Sequence, residues 1–301
     1  MMPTMLQETT AFRCPVCLAQ ETAVVRPYRS GATQSRGPFS GLSIRSCEQC
    51  HAAFACPLPQ ENELEAFYAE NYRAERGQSG DDTRPDAWDG GSVRARAQVE
   101  FVLEPLRVVG SWLDIGAGHG LLLDEARRQQ VARTGAIEPD LRCGRQIQEA
   151  GHHLYASLFE TRTFWDVVSF SHVLEHLTRP RQFLKDIQRL LTQQGHVFCE
   201  VPNEEHLSES PLDLPHLLFF TQASLIRLFQ ESGMTIVAVS SCGRTTPETG
   251  WRHIMREGAR RASQKLFNHP PHWIDRRVHP HFHYHEDRSA GAWIRLLARK
   301  A

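Results

Sequence analysis

The chain has 301 residues, 41% hydrophobic and 23% charged, which is the composition of an ordinary globular protein with room for a sizeable core and an accessory module. Its formal net charge of -1 offers no overall positive field to gather nucleic acid or an anionic membrane surface. No basic-then-apolar leader opens the sequence, and no run reaches the roughly 18 uninterrupted apolar residues of a membrane helix, so a cytoplasmic protein is expected.

In chain order, the first feature is a pair of C-x-x-C units, Cys14-Pro15-Val16-Cys17 and Cys47-Glu48-Gln49-Cys50. Between them lies a Gly-, Ser-, Pro- and Arg-containing run that reads as strands and turns. Each C-x-x-C hairpin aims two thiolates at one ion, and two hairpins close a tetrahedral structural zinc site with no open position. The connecting segment is longer than in the usual pattern, and a redox C-x-x-C or chance are the alternatives; two similar pairs argue against both. His51 and Cys56 read as structural. Residues 1–58 are assigned to this small zinc-ribbon-like module.

From Pro57 onward Leu64, Phe67, Tyr68 and Tyr72 recur at helical spacing. A Gly- and Asp-rich stretch follows, then a second helical run, RARAQVEFVLEPLRVV. Residues 59–109 are therefore expected to form helices and a loop leading into the main domain, 110–301.

That domain opens on a buried strand, Ser111 to Ile115, followed by Gly116-Ala117-Gly118-His119-Gly120 and an amphipathic helix, LLLDEARRQQ. Glycines at such a turn let the backbone approach a ligand at the carboxyl end of a strand, where open α/β sheets bind cofactors. The next strand, ARTGAIEP, places Glu138 one βαβ unit later, where a carboxylate can accept hydrogen bonds from both ribose hydroxyls. NAD is the competing cofactor. The G-x-G-x-G spacing disfavours it, and so does Asp114, whose carboxylate would oppose a pyrophosphate but suits the ammonium of an amino-acid head.

Next come an apolar strand, Phe164 to Phe170, then Ser171-His172-Val173-Leu174-Glu175-His176-Leu177. A helix is expected with Phe183, Leu184, Ile187, Leu190 and Leu191 on one face, and after Gln193-Gln194-Gly195 a strand, HVFCEVPN. The ordered series LDIGAGHG, IEPD, FWDVVSFSHVLEHL, LTQQGHVFCEVPN and HLLFFTQASLIRLFQESGMTIVAV resembles the motif set of class I S-adenosylmethionine-dependent methyltransferases, over about residues 108 to 242. The terminal GAWIRLLARK fits the last, antiparallel strand of that fold. The resemblance implies an α/β fold with a seven-stranded doubly wound Rossmann-like sheet. It further implies that Asp114, Gly116, Gly118, Gly120, Glu138 and Ser171 bind S-adenosyl-L-methionine, with Leu158 or Phe159 against the adenine.

The C-x-x-C head followed by FACPLP and FYAENY resembles a bacterial subgroup with a zinc module ahead of this domain, associated with sugar and glycan modification. The larger deoxysugar C-methyltransferases of that kind carry a long C-terminal domain that this chain lacks. A small-molecule or glycan acceptor, methylated on oxygen before carbon or nitrogen, is the implied substrate.

A neutral imidazole suits removal of the acceptor's proton. His172 and His176 follow the strand, and His216 lies in a His-Leu-x-aromatic-Phe-Thr run that resembles the base-bearing segment of the sugar C-methyltransferases. His216 is the first choice as base. The competing reading is that it caps the helix near Thr221 or packs on the phenylalanines. His172-Val173-Leu174-Glu175-His176 also spells H-x-x-E-H, which on a helix would make a zinc metallopeptidase. The strand-end context counts against it.

Residues 244–290 form an insertion before the last strand. Within it, Trp251 to about Phe267 can form a basic amphipathic helix able to touch a membrane surface, though a helix packed on the body is preferred. His279, His281, His283 and His285 alternate as on a strand and are not assigned to a site. An RNA or tRNA methyltransferase with the zinc module as reader is the main rival, and the near-neutral charge counts against it.

Overall fold

A computed structural model describes residues 12–30, 37–70, 91–204, 213–242 and 291–301, and the side chains of all but 69 and 70 among them. Tyr72, the helix expected near 251–267 and the histidines at 279–285 lie outside the described residues.

The N-terminal part is an antiparallel meander, β1 (Thr22–Pro27), β2 (Ser43–Cys47) and β3 (Ala53–Cys56). Helix α1 (Glu61–Glu70) follows and buries Leu64 and Phe67, two of the residues placed at helical spacing. Helix α2 (Gly91–Leu106) then buries Ala95, Gln98, Val99, Phe101 and Val102.

The main sheet is built by β4 (Ser111–Ile115), β5 (Arg133–Ile137), β6 (His153–Tyr155), β7 (Trp165–Ser171), β8 (Leu191–Pro202), β10 (Met234–Cys242) and β11 (Trp293–Lys300). Their spatial order is β10-β11-β8-β7-β4-β5-β6. The five strands β6 to β8 pair in parallel, while β11 runs antiparallel to both β8 and β10. The order turns back on itself between β4 and β7, and in a doubly wound sheet that crevice is where ligands bind. The seven-stranded α/β sheet and its antiparallel final strand are as the motif series implied.

Helices α3 (Leu121–Arg128), α4 (Leu141–Glu149), α5 (Pro180–Gln188) and α6 (Gln222–Glu231) are the crossovers among the described residues. Two of them start on a side-chain cap. Asp140 caps α4 by accepting from the Arg142 and Cys143 N–H groups, and Thr221 and Ser224 form a reciprocal capping box on α6. Helix α5 is shorter than its apolar spacing suggests: Leu190 lies in the turn beyond it, and Leu191 opens β8 instead of closing the helical face. Strand β8 also takes in Gly195, where a Cβ would fall 2.9 Å from the Trp165 carbonyl oxygen. The register against β7 shifts between Trp165 and Val167, so only a residue without a side chain passes there.

A two-residue strand, β9 (Leu218–Phe219), pairs with β3 and so belongs to the sheet of the N-terminal meander, in the order β1-β2-β3-β9. One continuous apolar cluster holds Phe39, Phe54 and Leu64 together with Phe170, Leu217, Phe220 and Phe229. Among the described residues, no helix is long and apolar enough to cross a membrane.

Candidate active site

The crevice begins at the loop after β4. Gly116, Gly118 and Gly120 all adopt positive φ, at 70°, 54° and 76°. Two of them have separate reasons. A Cβ on Gly116 would sit 2.6 Å from Val173 Cγ2, so the loop could not close against the strand-end segment after β7. Around Gly118 no described atom lies within 4 Å of where a Cβ would be, which leaves the backbone open on that side. Gly120 immediately precedes α3.

Glu138, past the end of β5, is held by the loop it serves. Its Oε2 accepts from the Gly118 N–H at 2.7 Å and its Oε1 from the Asp140 N–H at 2.9 Å. A carboxylate oxygen can accept more than one hydrogen bond, the capacity that two vicinal hydroxyls require. Asp114 is only 4% exposed and takes a 2.6 Å hydrogen bond from the Ser169 hydroxyl, which in turn accepts from Trp112 Nε1 at 2.8 Å. Burial pushes the Asp114 carboxyl up to about 7, with the Glu138 charge adding and the Ser169 bond opposing. Among the described residues it makes no ion pair. A buried carboxylate without a counter-cation, beside an open glycine loop and a tethered carboxylate, fits a ligand with an ammonium or sulfonium at one end and a ribose at the other. Leu158 and Phe159 open a single turn after β6, Leu158 half-buried against the core and Phe159 83% exposed.

On the other side of Val173 lies a histidine cluster. His172 has φ 55°, a left-handed conformation that a non-glycine residue adopts at a cost, and its N–H donates to the Glu200 carbonyl at 2.9 Å. Its Nδ1 lies 3.0 Å from Glu175 Oε1. The His176 ring stands 5.1 Å from the His216 ring, 5.9 Å from Tyr68, and its Nδ1 is 3.2 Å from the Pro215 carbonyl oxygen. Glu175 lies beneath all three histidines. Burial would raise its carboxyl, but the His172 hydrogen bond and the three imidazoles hold it at about 2. His216 is not the cap of α6, since Thr221 fills that position, though its ring does meet Phe219 at 6.3 Å.

Ser171 belongs to a polar network that the sequence reading missed. Its hydroxyl accepts from Arg94 at 2.8 Å and from Gln98 at 2.9 Å. The same two side chains reach Glu200 Oε1, while Arg295 Nε donates to Glu200 Oε2 at 2.5 Å. Glu200 is fully buried, and burial alone would raise its carboxyl; Arg94 and Arg295 keep it at about 2. The only sequence signal was a lone charge inside each of two apolar strands, VFCEVP and WIRLLA.

The four module cysteines also converge. Cys14 Sγ lies 3.6 Å from Cys50 Sγ and Cys17 Sγ 3.5 Å from Cys47 Sγ, with all four within 4.8 Å of one another. A tetrahedral ion with Zn–S bonds of about 2.3 Å spaces its sulfurs about 3.8 Å apart, so the donor set fits such an ion and no pair is bonded as a disulfide.

Sheet order, switch point and glycine loop together define the fold of class I S-adenosylmethionine-dependent methyltransferases. Residues 89–239 match the family described as a methyltransferase domain, and the chain belongs to that family. One solved structure supports the fold. The 1,6-didemethyltoxoflavin-N1-methyltransferase of Burkholderia thailandensis, with bound S-adenosylhomocysteine, is 17% identical, with 84% of this chain and 97% of that one covered and a TM-score of 0.51. An S-adenosylmethionine-dependent methyltransferase of Thermotoga maritima is 14% identical, with 79% and 99% covered and a TM-score of 0.49. No curated protein matches the chain.

Proposed function

We propose that the chain methylates a hydroxyl of a small-molecule or glycan acceptor, with Asp114, Gly116, Gly118, Gly120 and Glu138 binding S-adenosyl-L-methionine. The observation that carries this reading is the uncompensated Asp114 carboxylate beside Glu138, whose two oxygens are anchored by the loop itself. When bound, the cofactor supplies a methyl group on a sulfonium, open to in-line displacement. The chain's own task is to align the acceptor, exclude water and take its proton as the O–CH₃ bond forms and the S–CH₃ bond breaks.

His216 is the first candidate for the proton, with His176 and His172 beside it. Ser171 serves by anchoring Arg94 and Gln98 at the strand end, and Leu158 or Phe159 supplies an apolar face for adenine. The acceptor assignment follows the subgroup resemblance. Residues 1–58, 59–109 and 110–301 act as zinc module, helical lead-in and catalytic domain, with a structural Zn²⁺ on Cys14, Cys17, Cys47 and Cys50. The metallopeptidase alternative needs His172 and His176 on one helical face, whereas the chain there is a strained turn and one short 3₁₀ turn, Leu174–His176.

The test is calorimetric titration with S-adenosylmethionine and, as control, NAD. Binding of the first alone is expected; binding of NAD, or of neither by folded protein, overturns the reading. For the base, His216→Ala should abolish turnover and spare cofactor affinity, and unchanged turnover would remove His216 from the role.

A further inference from the structure

We infer that Glu175, His176 and His216 form a second metal site, distinct from the four cysteines, which binds a first-row divalent cation at the acceptor side of the cofactor crevice. One ligand atom from each of the three lies within 4.8 Å of the other two. Bonds of about 2.1 Å would draw such atoms to about 3 Å apart, a closure within reach of side-chain rotation.

Three independent features point to an ion. First, Glu175 is 1% exposed, yet its Oε2 is buried with no hydrogen-bond partner, while Oε1 already accepts from His172. A buried carboxylate oxygen left without a donor is costly unless something positive fills the place. Second, the His176 tautomer is set by its neighbour. Nδ1 faces the Pro215 carbonyl at 3.2 Å and must carry the hydrogen, so in the neutral ring Nε2 presents a lone pair. Nε2 lies on the Glu175 side of the ring, 3.9 Å from Oε1, so both side chains can turn toward one ion. A backbone carbonyl behind the non-ligating nitrogen is also the usual support of a metal-bound imidazole. Third, the ligands are fixed from separate elements: the Leu217 N–H donates to the Glu175 carbonyl and Tyr28 Oη to the His216 carbonyl, at 2.8 and 2.9 Å.

Two imidazoles and one carboxylate on one side of an ion suit Mn²⁺, Fe²⁺, Co²⁺ or Zn²⁺ better than Mg²⁺, and they leave positions open for oxygen ligands. Val173, next to the cluster, packs on Gly116 of the cofactor loop, so the open positions fall beside the crevice. The inference rests on the methyltransferase reading and alters it at one point. With the ion in place, His216 acts as a ligand, and the acceptor hydroxyl is acidified by coordination, its proton passing to solvent or to His172.

The experiment uses the full chain carrying one equivalent of Zn²⁺ and titrates it with Mn²⁺, followed by electron paramagnetic resonance. Hard Mn²⁺ has little affinity for a Cys₄ set, so the signal reads the Glu/His/His site. One tightly bound Mn²⁺ per chain is expected, weakened at least about tenfold in Glu175→Gln and in His216→Asn, with folding checked by circular dichroism. Absence of binding to the folded wild type, or equal binding by folded Glu175→Gln, overturns the site. Should either variant fail to fold, His176→Gln and competition of bound Mn²⁺ by Zn²⁺ give the same readout. Titration of the same samples with S-adenosylhomocysteine separates the two readings. Cofactor binding without Mn²⁺ binding removes the ion alone, and Mn²⁺ binding without cofactor binding removes the methyltransferase reading alone.

Discussion

Asp114 and Glu200 are both buried carboxylates, yet their surroundings drive them in opposite directions. Asp114 has only a hydroxyl and a distant arginine to stabilise its charge, and burial raises it from 3.8 to about 7. The folded ligand-free chain therefore holds this proton more tightly than the unfolded chain, so its contribution to stability declines as pH rises from about 4 to 7. Asp114→Asn should melt at a higher temperature than wild type at pH 8.5, by a smaller margin at pH 5.5 and close to it near pH 4, while weakening adenosylmethionine binding at least about tenfold. If the ammonium of the ligand meets Asp114, binding at pH 6.5 should also release a proton, seen as a buffer-dependent calorimetric heat; no dependence on buffer would contradict that contact. Glu200 is the reverse case. Its carboxyl is held at about 2, so its stabilisation is present above about 4.5 and fades as pH falls toward 2. Arg295→Met leaves Glu200 one cation short in a site excluded from water, and should cost about 3–5 kcal/mol in chemical denaturation at pH 7. Asp114 and Glu138 were legible in the sequence because a glycine loop and a carboxylate one βαβ unit later are local spacings. The Arg94–Glu200–Arg295 network was not, because its members lie 106 and 95 residues apart.

At the scale of elements, the segment that carries His216 is held from two directions. Toward the sheet, the Leu217 N–H bonds the Glu175 carbonyl; toward the meander, β9 pairs with β3 and the Ala55 N–H bonds the Leu217 carbonyl. Asp213 adds an ion pair to this second side, with Arg26 at 2.5 and 2.7 Å and the Arg29 N–H at 2.7 Å. The meander thus braces the segment that carries His216. If the four cysteines hold zinc as proposed, its removal by chelation, or Cys14→Ser, is expected to lower turnover while leaving affinity for S-adenosylhomocysteine within about threefold, because the hydrogen bonds that position Asp114 and Glu138 come from Ser169, Gly118 and Asp140 of the main sheet and its loops. An equal loss of both would show that the module supports the whole domain. The two C-x-x-C units could be read from sequence, since each is a short pattern with its own chemistry, whereas the cap near Thr221, for which His216 is the competing sequence reading, falls to Thr221 itself. Strand β9 could not. Two residues carry no periodicity, and their partner lies more than 150 positions away in the chain.

For the molecule as a whole, the boundary after residue 58 marks a change in sequence character, but the apolar core runs across it. Leu217, Leu218, Phe219 and Phe220 are all at most 3% exposed, and they share one cluster with Phe39, Ile44 and Phe54 from the meander and with Phe170 and Phe229 from the sheet. Composition and local pattern divide a chain wherever its chemistry changes, whereas cooperativity depends on which side chains touch, and these contacts are long-range. Uncovering four large side chains would expose apolar surface worth about 1.5–3 kcal/mol each, comparable with the whole stability of a domain. A chain cut to residues 59–301 should therefore be aggregation-prone, or melt well below the intact protein, even though every strand of the seven-stranded sheet is present. The intact zinc-loaded chain should unfold in one transition by both tryptophan fluorescence and far-ultraviolet circular dichroism. All six tryptophans lie beyond residue 58, Trp112, Trp165 and Trp293 of them in the main sheet, so the fluorescence reports on that side of the boundary and the dichroism on the whole backbone. Two separated transitions, with the first abolished by deleting residues 1–58, would show instead that the meander folds independently and that the shared core adds little.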